Sequence, residues 1–333
     1  MDVADRPLTS PTIQDVISAQ RTIAPYLRPT PVFSTPALNR LLNCSAVVKC
    51  ENLNPTGAFK VRGGINVIAS LSPEERRRGV IASSTGNHGQ AVAYAGRLFG
   101  VRVIIGAPMG TNPYKLQAMR DLGAEVVLTG RDFDEAREWV ERTAVKEGLR
   151  YIHSANEPLL IAGAGTVSLE LLQEVPDLDV VFVPIGAGSG ACGHCIAGKA
   201  LHPGLRVIGV QSEGAPAVTL SWQQRRMIAT PEIATFAEGL QTRIPFELTM
   251  GILWERLDDC ILVSDRELEE AIVLMLETTH QVAEGAGAAA LAAALRMRSA
   301  IERKRVALIL SGGNITLEGL REILSRTPSP ASL

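Results

Sequence analysis

The sequence predicts an α/β protein built on largely parallel, doubly wound sheets. Short apolar runs recur along the chain, and most are separated by helical stretches of roughly 12 residues or more. Strands and helices alternating in this way imply parallel pairing, with helices covering both faces. Three of the runs also pass directly into Gly/Ser-rich loops, which is where ligands bind in such sheets, beyond the carboxyl ends of the strands.

Taken in order, residues 12–27 have helical spacing and stop before Arg28-Pro29-Thr30-Pro31, where prolines forbid continuation. Strands are expected at 46–49, 79–82, 101–105, 124–128, 180–184, 206–210, 261–263 and 306–310. The charge runs at 74–78 and 301–305 read as solvated helix ends. Residues 1–11 and 327–333 are polar and carry Pro and Ser, so they are expected to be loose ends. At 333 residues the chain exceeds what one compact core usually holds, and two domains are expected.

Composition narrows the partners. A net charge of −2 suggests neither a nucleic-acid partner nor an anionic membrane, either of which would favour a basic face. Residues 1–10 lack a basic region followed by an apolar core, so no signal peptide is expected. The small-apolar stretch 286–295 is too short to cross a bilayer. A cytoplasmic protein is the expectation. The five cysteines, odd in number and scattered, read as reduced thiols.

The three loops are Ser83-Ser84-Thr85-Gly86-Asn87-His88-Gly89, Gly186-Ala187-Gly188-Ser189-Gly190 and Ser311-Gly312-Gly313-Asn314. Without bulky side chains, their backbone N–H groups can approach an anion, and a following helix adds its positive end. One such loop could be a mere tight turn. Three together point to a phosphorylated ligand held between domains. The sharpest feature is Asn54-Pro55-Thr56-Gly57-Ala58-Phe59-Lys60-Val61-Arg62-Gly63-Gly64. A lone lysine is nearly always a surface charge, but Lys60 sits between an aromatic residue and a Gly-rich helix start.

Ala-Phe-Lys-Val-Arg-Gly, Ser-Thr-Gly-Asn-His-Gly and Ser-Gly-Gly-Asn-Ile, in this order and spacing, resemble the serine/threonine dehydratase and serine racemase family. These are fold-type-II pyridoxal-phosphate enzymes. The resemblance runs from about residue 12 to about 325 and fits the short, catabolic type. It implies a small domain, 53–150, inserted into a large one formed by 1–52 and 151–333, with pyridoxal 5′-phosphate in the cleft between them. It also implies a homodimer or homotetramer.

The same resemblance implies the site. Lys60 would hold the cofactor as a Schiff base and then take the substrate's α-proton. Burial would lower the amine's ordinary pKa of ~10.4 and make it a better nucleophile. Phe59 would pack beside the cofactor and Asn87 would bond its 3′-hydroxyl. Gly186, Ala187, Gly188, Ser189 and Gly190 would cradle the phosphate. Ser84, Thr85, Gly86, Asn87 and His88 would receive the substrate carboxylate, with Arg137 approaching it on closure. Gly239 and Glu284 would lie near the ring. Ser311 would face the pyridine nitrogen, where a neutral hydroxyl leaves the ring a weaker electron sink and favours β-elimination over amino transfer. The expected reaction is dehydration and deamination of L-threonine or L-serine to a 2-oxo acid and ammonia. Alternatives are 3-hydroxyaspartate, a bulkier β-hydroxy amino acid, or serine racemisation with Thr85 as the acid/base opposite Lys60.

Several positions depart from the family pattern. Ala58 stands where many members have Ser, Ala187 and Ser189 interrupt a run of glycines, and Ala155 replaces an Asn. The acidic metal ligands of some members have only Glu213 in Gln211-Ser212-Glu213-Gly214-Ala215-Pro216-Ala217, so no metal is expected.

Other signals have blander readings. Cys192-Gly193-His194-Cys195 could bind zinc or be redox-active, but has no second ligand pair and reads as packing. Gly186-x-Gly188-x-x-Ala191 is a weak dinucleotide fingerprint and gives a second hypothesis, an NAD-dependent dehydrogenase. A third is an inactive amino-acid-binding protein. Arg137 could be a surface helix ion pair, Thr242 is a weaker candidate, and Glu284 could be a helix-start acid.

Overall fold

The computed structural model describes residues 8–131 and 133–327. The expected loose ends therefore fall mostly outside the described residues. The first helix, Ile13–Ile23, opens on a capping box in which Thr12 accepts from the Asp15 N–H and Asp15 accepts in return. It stops four residues short of the expected end because Pro25 interrupts the pattern.

Ten strands form two sheets among the described residues. They are β1 (Val32–Phe33), β2 (Ser45–Cys50), β3 (Val80–Ser83), β4 (Val103–Ala107), β5 (Glu125–Leu128), β6 (Arg150–Tyr151), β7 (Val180–Pro184), β8 (Arg206–Ser212), β9 (Asp259–Val263) and β10 (Arg305–Leu310). All eight expected strands are present, with ends shifted by at most two residues. The two unexpected strands, β1 and β6, are only two residues long, too short to carry a period. One sheet has the order β1-β2-β10-β7-β8-β9 and the other β5-β4-β3-β6. Every pairing is parallel except β1 with β2. The four-stranded sheet is drawn wholly from the chain between β2 and β7.

The period-2 alternation of each strand decides where the core lies. In β7, Val180 and Phe182 join a cluster with the Ala-rich helix Gly285–Arg296, while Val181 and Val183 face the other way. In the smaller sheet, Ile81 and Ile104 face the helix Phe133–Glu147. Val80, Ala82, Val103 and Ile105 turn inward to the same cluster as Val181 and Val183. One continuous core thus lies between the two sheets. Its filling comes from the helices Ile13–Ile23, Lys60–Ala69, Asn87–Phe99, Pro158–Glu174 and Ser189–Leu201.

Glycines set the spacing of these helices. A Cβ on Gly63 would lie 2.7 Å from Leu160 Cγ, and one on Gly64 would lie 2.6 Å from the Ala91 carbonyl oxygen. The helix Lys60–Ala69 is therefore in close contact with Pro158–Glu174 on one side and with Asn87–Phe99 on the other.

Two expectations change. The run 74–78 is most of a short exposed helix, Pro73–Arg78, rather than the end of a longer one. The run 301–305 is a turn into β10, with Ile301 buried and Arg303 left-handed at φ 61°.

Candidate active site

The carboxyl ends of β3, β7 and β10 open onto one cavity of about 440 Å³. The loop after β3 supplies Ser84, Thr85, Gly86, Asn87 and His88, and the loop after β7 supplies Gly186 to Gly190. Ser311 comes from the end of β10. Phe59, Lys60, Gly239, Thr242 and Glu284 complete the predicted set. Arg137 alone does not line the cavity; its guanidinium lies on Glu141 at 2.6 Å, one helical turn away.

Lys60 is the first residue of its helix and half-buried. Its Nζ donates to Ser189 Oγ at 2.9 Å and lies 5.2 Å from the centre of the Phe59 ring. No carboxylate among the described residues pairs with it. Burial lowers its pKa to about 8, so a sizeable neutral fraction exists near neutrality. That is the requirement for an amine nucleophile.

The loop Gly186–Gly190 is shaped by close approach. A Cβ on Gly186 would lie 2.3 Å from the Gly239 carbonyl oxygen, and one on Gly190 would lie 3.1 Å from the Phe59 ring. Gly188, at φ +97°, caps the helix Ser189–Leu201 without any side-chain bond. The backbone N–H groups from Gly186 to Ala191 have no acceptor among the described residues, and Cys192 is the first to bond back, to Gly188. Unpartnered donors at a helix N-terminus form an anion site.

The loop after β3 is a second donor array. Ser84 Oγ accepts from the N–H of Gly86 at 3.0 Å and of Gly89 at 2.8 Å. Ser84 therefore shapes the loop from within. The N–H groups of Thr85, Asn87 and His88 stay without an intrachain acceptor among the described residues. The His88 ring is buried against the Ile152 carbonyl at 3.1 Å, and burial drives its pKa down to about 3. It is a neutral imidazole, so the loop offers dipoles to a carboxylate and not a cation.

Asn87 is held from two directions. Its amide donates to Glu284 Oε1 at 2.6 Å, and its carbonyl oxygen accepts from Asn314 Nδ2 at 2.7 Å. Glu284 opens the helix Gly285–Arg296 but its side chain does not cap it. Burial raises its pKa; Lys115 and Asn87 oppose the shift. Ser311 is buried, and its backbone carbonyl accepts from the Phe59 N–H at 3.0 Å, which ties the lysine segment to the end of β10.

A family model described as pyridoxal-phosphate dependent enzyme matches residues 23–312. The chain belongs to the pyridoxal-phosphate dependent enzyme family. It is 38% identical over 315 residues to the L-threonine ammonia-lyase of Thermotoga maritima, covering 95% of this chain and 78% of that protein. Maize serine racemase superposes with a TM-score of 0.90 at 32% identity, over 95% of this chain and 98% of that one. The processed form of threonine deaminase isoform 2 from Solanum lycopersicum does so with a TM-score of 0.89 at 30% identity, over 94% and 92%.

The residues present fit pyridoxal phosphate. The Lys60 amine, without a counter-ion among the described residues, stands at hydrogen-bond distance from the first residue of a helix whose first N–H groups are free, and the glycines of that loop let its backbone pass close to Gly239 and Phe59. The dinucleotide reading of the Gly186 loop gives way. Gln211, at the end of β8, is buried with its amide oxygen accepting from the Thr219 N–H and hydroxyl, so no acid stands there for a ribose. Glu213 pairs with Arg296 at 3.3 Å, and no cluster of three or more metal-ligating side chains exists among the described residues. Cys192 and Cys195 are fully buried; burial raises both thiols, Cys195 to about 12, which suppresses thiolate chemistry.

Several residues that line the cavity or hold its groups were not singled out in the sequence. Asn314 lies inside the third loop already singled out and orients Asn87. Lys115 and Glu238 form a 2.7 Å ion pair across the cavity wall. Ser154 offers its carbonyl to Lys60 at 3.5 Å. Nothing in local pattern marks Lys115 or Ser154, which follow β4 and β6 and reach the cavity only through the assembly of the smaller sheet.

Proposed function

We propose that the protein is a pyridoxal-phosphate-dependent ammonia-lyase that dehydrates and deaminates L-threonine or L-serine to a 2-oxo acid and ammonia. The observation that carries this reading is the convergence on one cavity of an unpaired, buried Lys60 amine with two separate arrays of free backbone N–H groups. One array suits a phosphate and the other a carboxylate. The relative named L-threonine ammonia-lyase supports the substrate class.

In this reading Lys60 holds the cofactor through its amine, with Phe59 beside it and Asn87, Gly239 and Glu284 around the ring. Gly186, Ala187, Gly188, Ser189 and Gly190 hold its phosphate. Bound there, pyridoxal phosphate supplies the sink for the electron pair left at Cα when the proton leaves. Thr85, Asn87 and His88 receive the substrate carboxylate through their N–H groups, and Ser84 and Gly86 shape that loop. Lys60, with its amine free, would take the α-proton. Ser311, which lines the cavity, would offer the cofactor a neutral hydroxyl, a setting that favours loss of the β-hydroxyl. Arg137 joins only if the segment 53–150 closes as a small domain over 1–52 and 151–333. The setting is cytoplasmic, which five buried, free thiols support, and the assembly is a homodimer or homotetramer.

Release of ammonia and 2-oxo acid is measured over L-threonine, L-serine, 3-hydroxyaspartate and phenylserine. Turnover of the first two is expected to dominate; no ammonia from any of them refutes the reading. Racemisation of serine is a second reading, favoured by Thr85 lining the cavity and by the likeness to maize serine racemase. Chiral chromatography of serine incubated with the enzyme tests it.

A further inference from the structure

Two residues beyond Lys60, Arg62 is fully buried among five other polar side chains that the proposed chemistry does not use. Its Nε and Nη2 bond Glu51 at 2.7 and 2.9 Å, and its Nη1 and Nη2 bond Glu170 at 2.6 and 2.7 Å. Nη1 also donates to Thr166 at 3.2 Å. Lys49 Nζ bonds Glu170 at 2.6 Å and the Thr30 carbonyl at 2.8 Å, and the Thr30 hydroxyl donates to Glu51 at 2.6 Å. Two cations thus meet two carboxylates with no net charge.

A buried ion network is weak as a source of stability, because desolvation offsets most of the attraction and apolar replacements often do as well. What it supplies is fixed geometry, since the planar guanidinium fork accepts one arrangement of its carboxylates. The pieces it joins are informative. Lys49 lies in β2, which pairs with β10 through Lys49 opposite Ile309. Two residues after Ile309 comes Ser311. Glu170 and Thr166 lie on Pro158–Glu174, against which Gly63 also packs.

We propose that Arg62 is a positioning residue: through Glu51, Glu170 and Lys49 it fixes the Lys60 helix to the six-stranded sheet and so sets Lys60 relative to Ser311. The inference rests on the reading of Lys60 and Ser311 as the groups that meet opposite parts of the cofactor. It also makes the Lys60 helix part of the fixed body, so any movement of the smaller sheet begins after Ala69 and not at residue 53.

The test uses the holoenzyme and Arg62→Lys, which keeps the charge and loses the fork. The variant is expected to fold, by circular dichroism and a cooperative melt. The pH midpoint of its lysine-linked cofactor absorbance should move by more than about half a unit. Its kcat should fall about tenfold or more, with KM changed less than about threefold. A folded variant with the parent's spectrum, pH midpoint and kcat overturns the proposal. Should Arg62→Lys not fold, Glu170→Gln replaces it, with the same shifts expected at smaller size and the same unchanged result overturning it. A readout on the unaltered holoenzyme stands beside these. Amide hydrogen exchange of residues 60–69 should be as slow as in β2; markedly faster exchange than in β2 overturns the proposal. Failure of the functional reading itself would show differently, as a parent protein that forms no lysine-linked absorbance or releases no ammonia.

Discussion

Asn87 donates its side-chain amide to Glu284 at 2.6 Å, joining the loop after β3 to the first residue before the helix Gly285–Arg296. Burial holds the Glu284 carboxyl above its ordinary range, with Lys115 and the Asn87 bond pulling it back and Glu238 adding to the rise. The folded protein therefore binds this proton more tightly than the unfolded chain does. The resulting stability is complete below the ordinary carboxyl pKa and is lost as pH rises through the raised value. Glu284→Gln cannot ionise, so its melting temperature minus the parent's should be more positive at pH 7 than at pH 4, both in the same cofactor-loaded state. A difference that stays flat or reverses sign refutes the burial argument.

Lys60 gives a kinetic signature. With a pKa of about 8, its neutral fraction levels off above that pH. The rate at which the protein captures pyridoxal phosphate, followed by absorbance, should rise up to about pH 8 and then flatten; a continued climb towards pH 10.5 means the amine is not desolvated. Lys60→Ala should lose that absorbance and lower ammonia release by at least about a thousandfold. Retained turnover would remove Lys60 from the chemistry.

At Gly186 the expected defect is steric. The added Cβ of Gly186→Ala lies 2.3 Å from the Gly239 carbonyl oxygen, so the loop must move. Stability should fall by about 1–3 kcal/mol, as for other overpacked sites, and cofactor affinity by about tenfold or more, the usual scale of losing one hydrogen bond to a charged group. Ala187→Gly serves as the control, since that position already carries a Cβ. Equal affinities for the two variants would show that the loop does not hold the phosphate.

The Lys115–Glu238 pair spans the cavity wall at 2.7 Å, with the Lys115 side chain only 13% exposed. Lys115→Met should raise KM for the amino acid about 3- to 10-fold while kcat changes less, the pattern of lost uniform binding. Exchanging the two charges in a double variant should recover part of the loss, with a coupling of about 0.5–1.5 kcal/mol, at the lower end because Glu238 is partly exposed. Additive effects would mean the pair does not act as a unit.

Most of the fold was legible because buried parallel strands leave apolar runs bounded by glycine and serine. The strands that escaped, β1 and β6, have two residues each and exist only because a neighbour pairs with them. Pro25 was legible too and was outweighed by helical spacing around it. The site was readable where function demands unusual backbone, as at Gly186, Gly188 and the Ser84–His88 loop. Lys115 and Glu238 were not readable: each is an ordinary charged residue until the fold sets them side by side. Arg62 lay inside the quoted lysine motif, yet its burial and its partners Glu51 and Glu170 depend on elements brought together from three parts of the chain.

The core shared by the two sheets has a consequence for how the molecule comes apart. Val80, Ala82, Val103 and Ile105 lean on the same cluster as Val181 and Val183, and so does Val61 beside the lysine. Melting the smaller sheet alone would strip one wall from that cluster and expose the other to water. At roughly 1.5–3 kcal/mol per large aliphatic side chain, no partly melted species survives in quantity. Heating should therefore give a single calorimetric transition. A fragment spanning 53–150, expressed alone, should be insoluble or molten. The catalytic lysine and the loop that receives the carboxylate are gained and lost together, as one folding event.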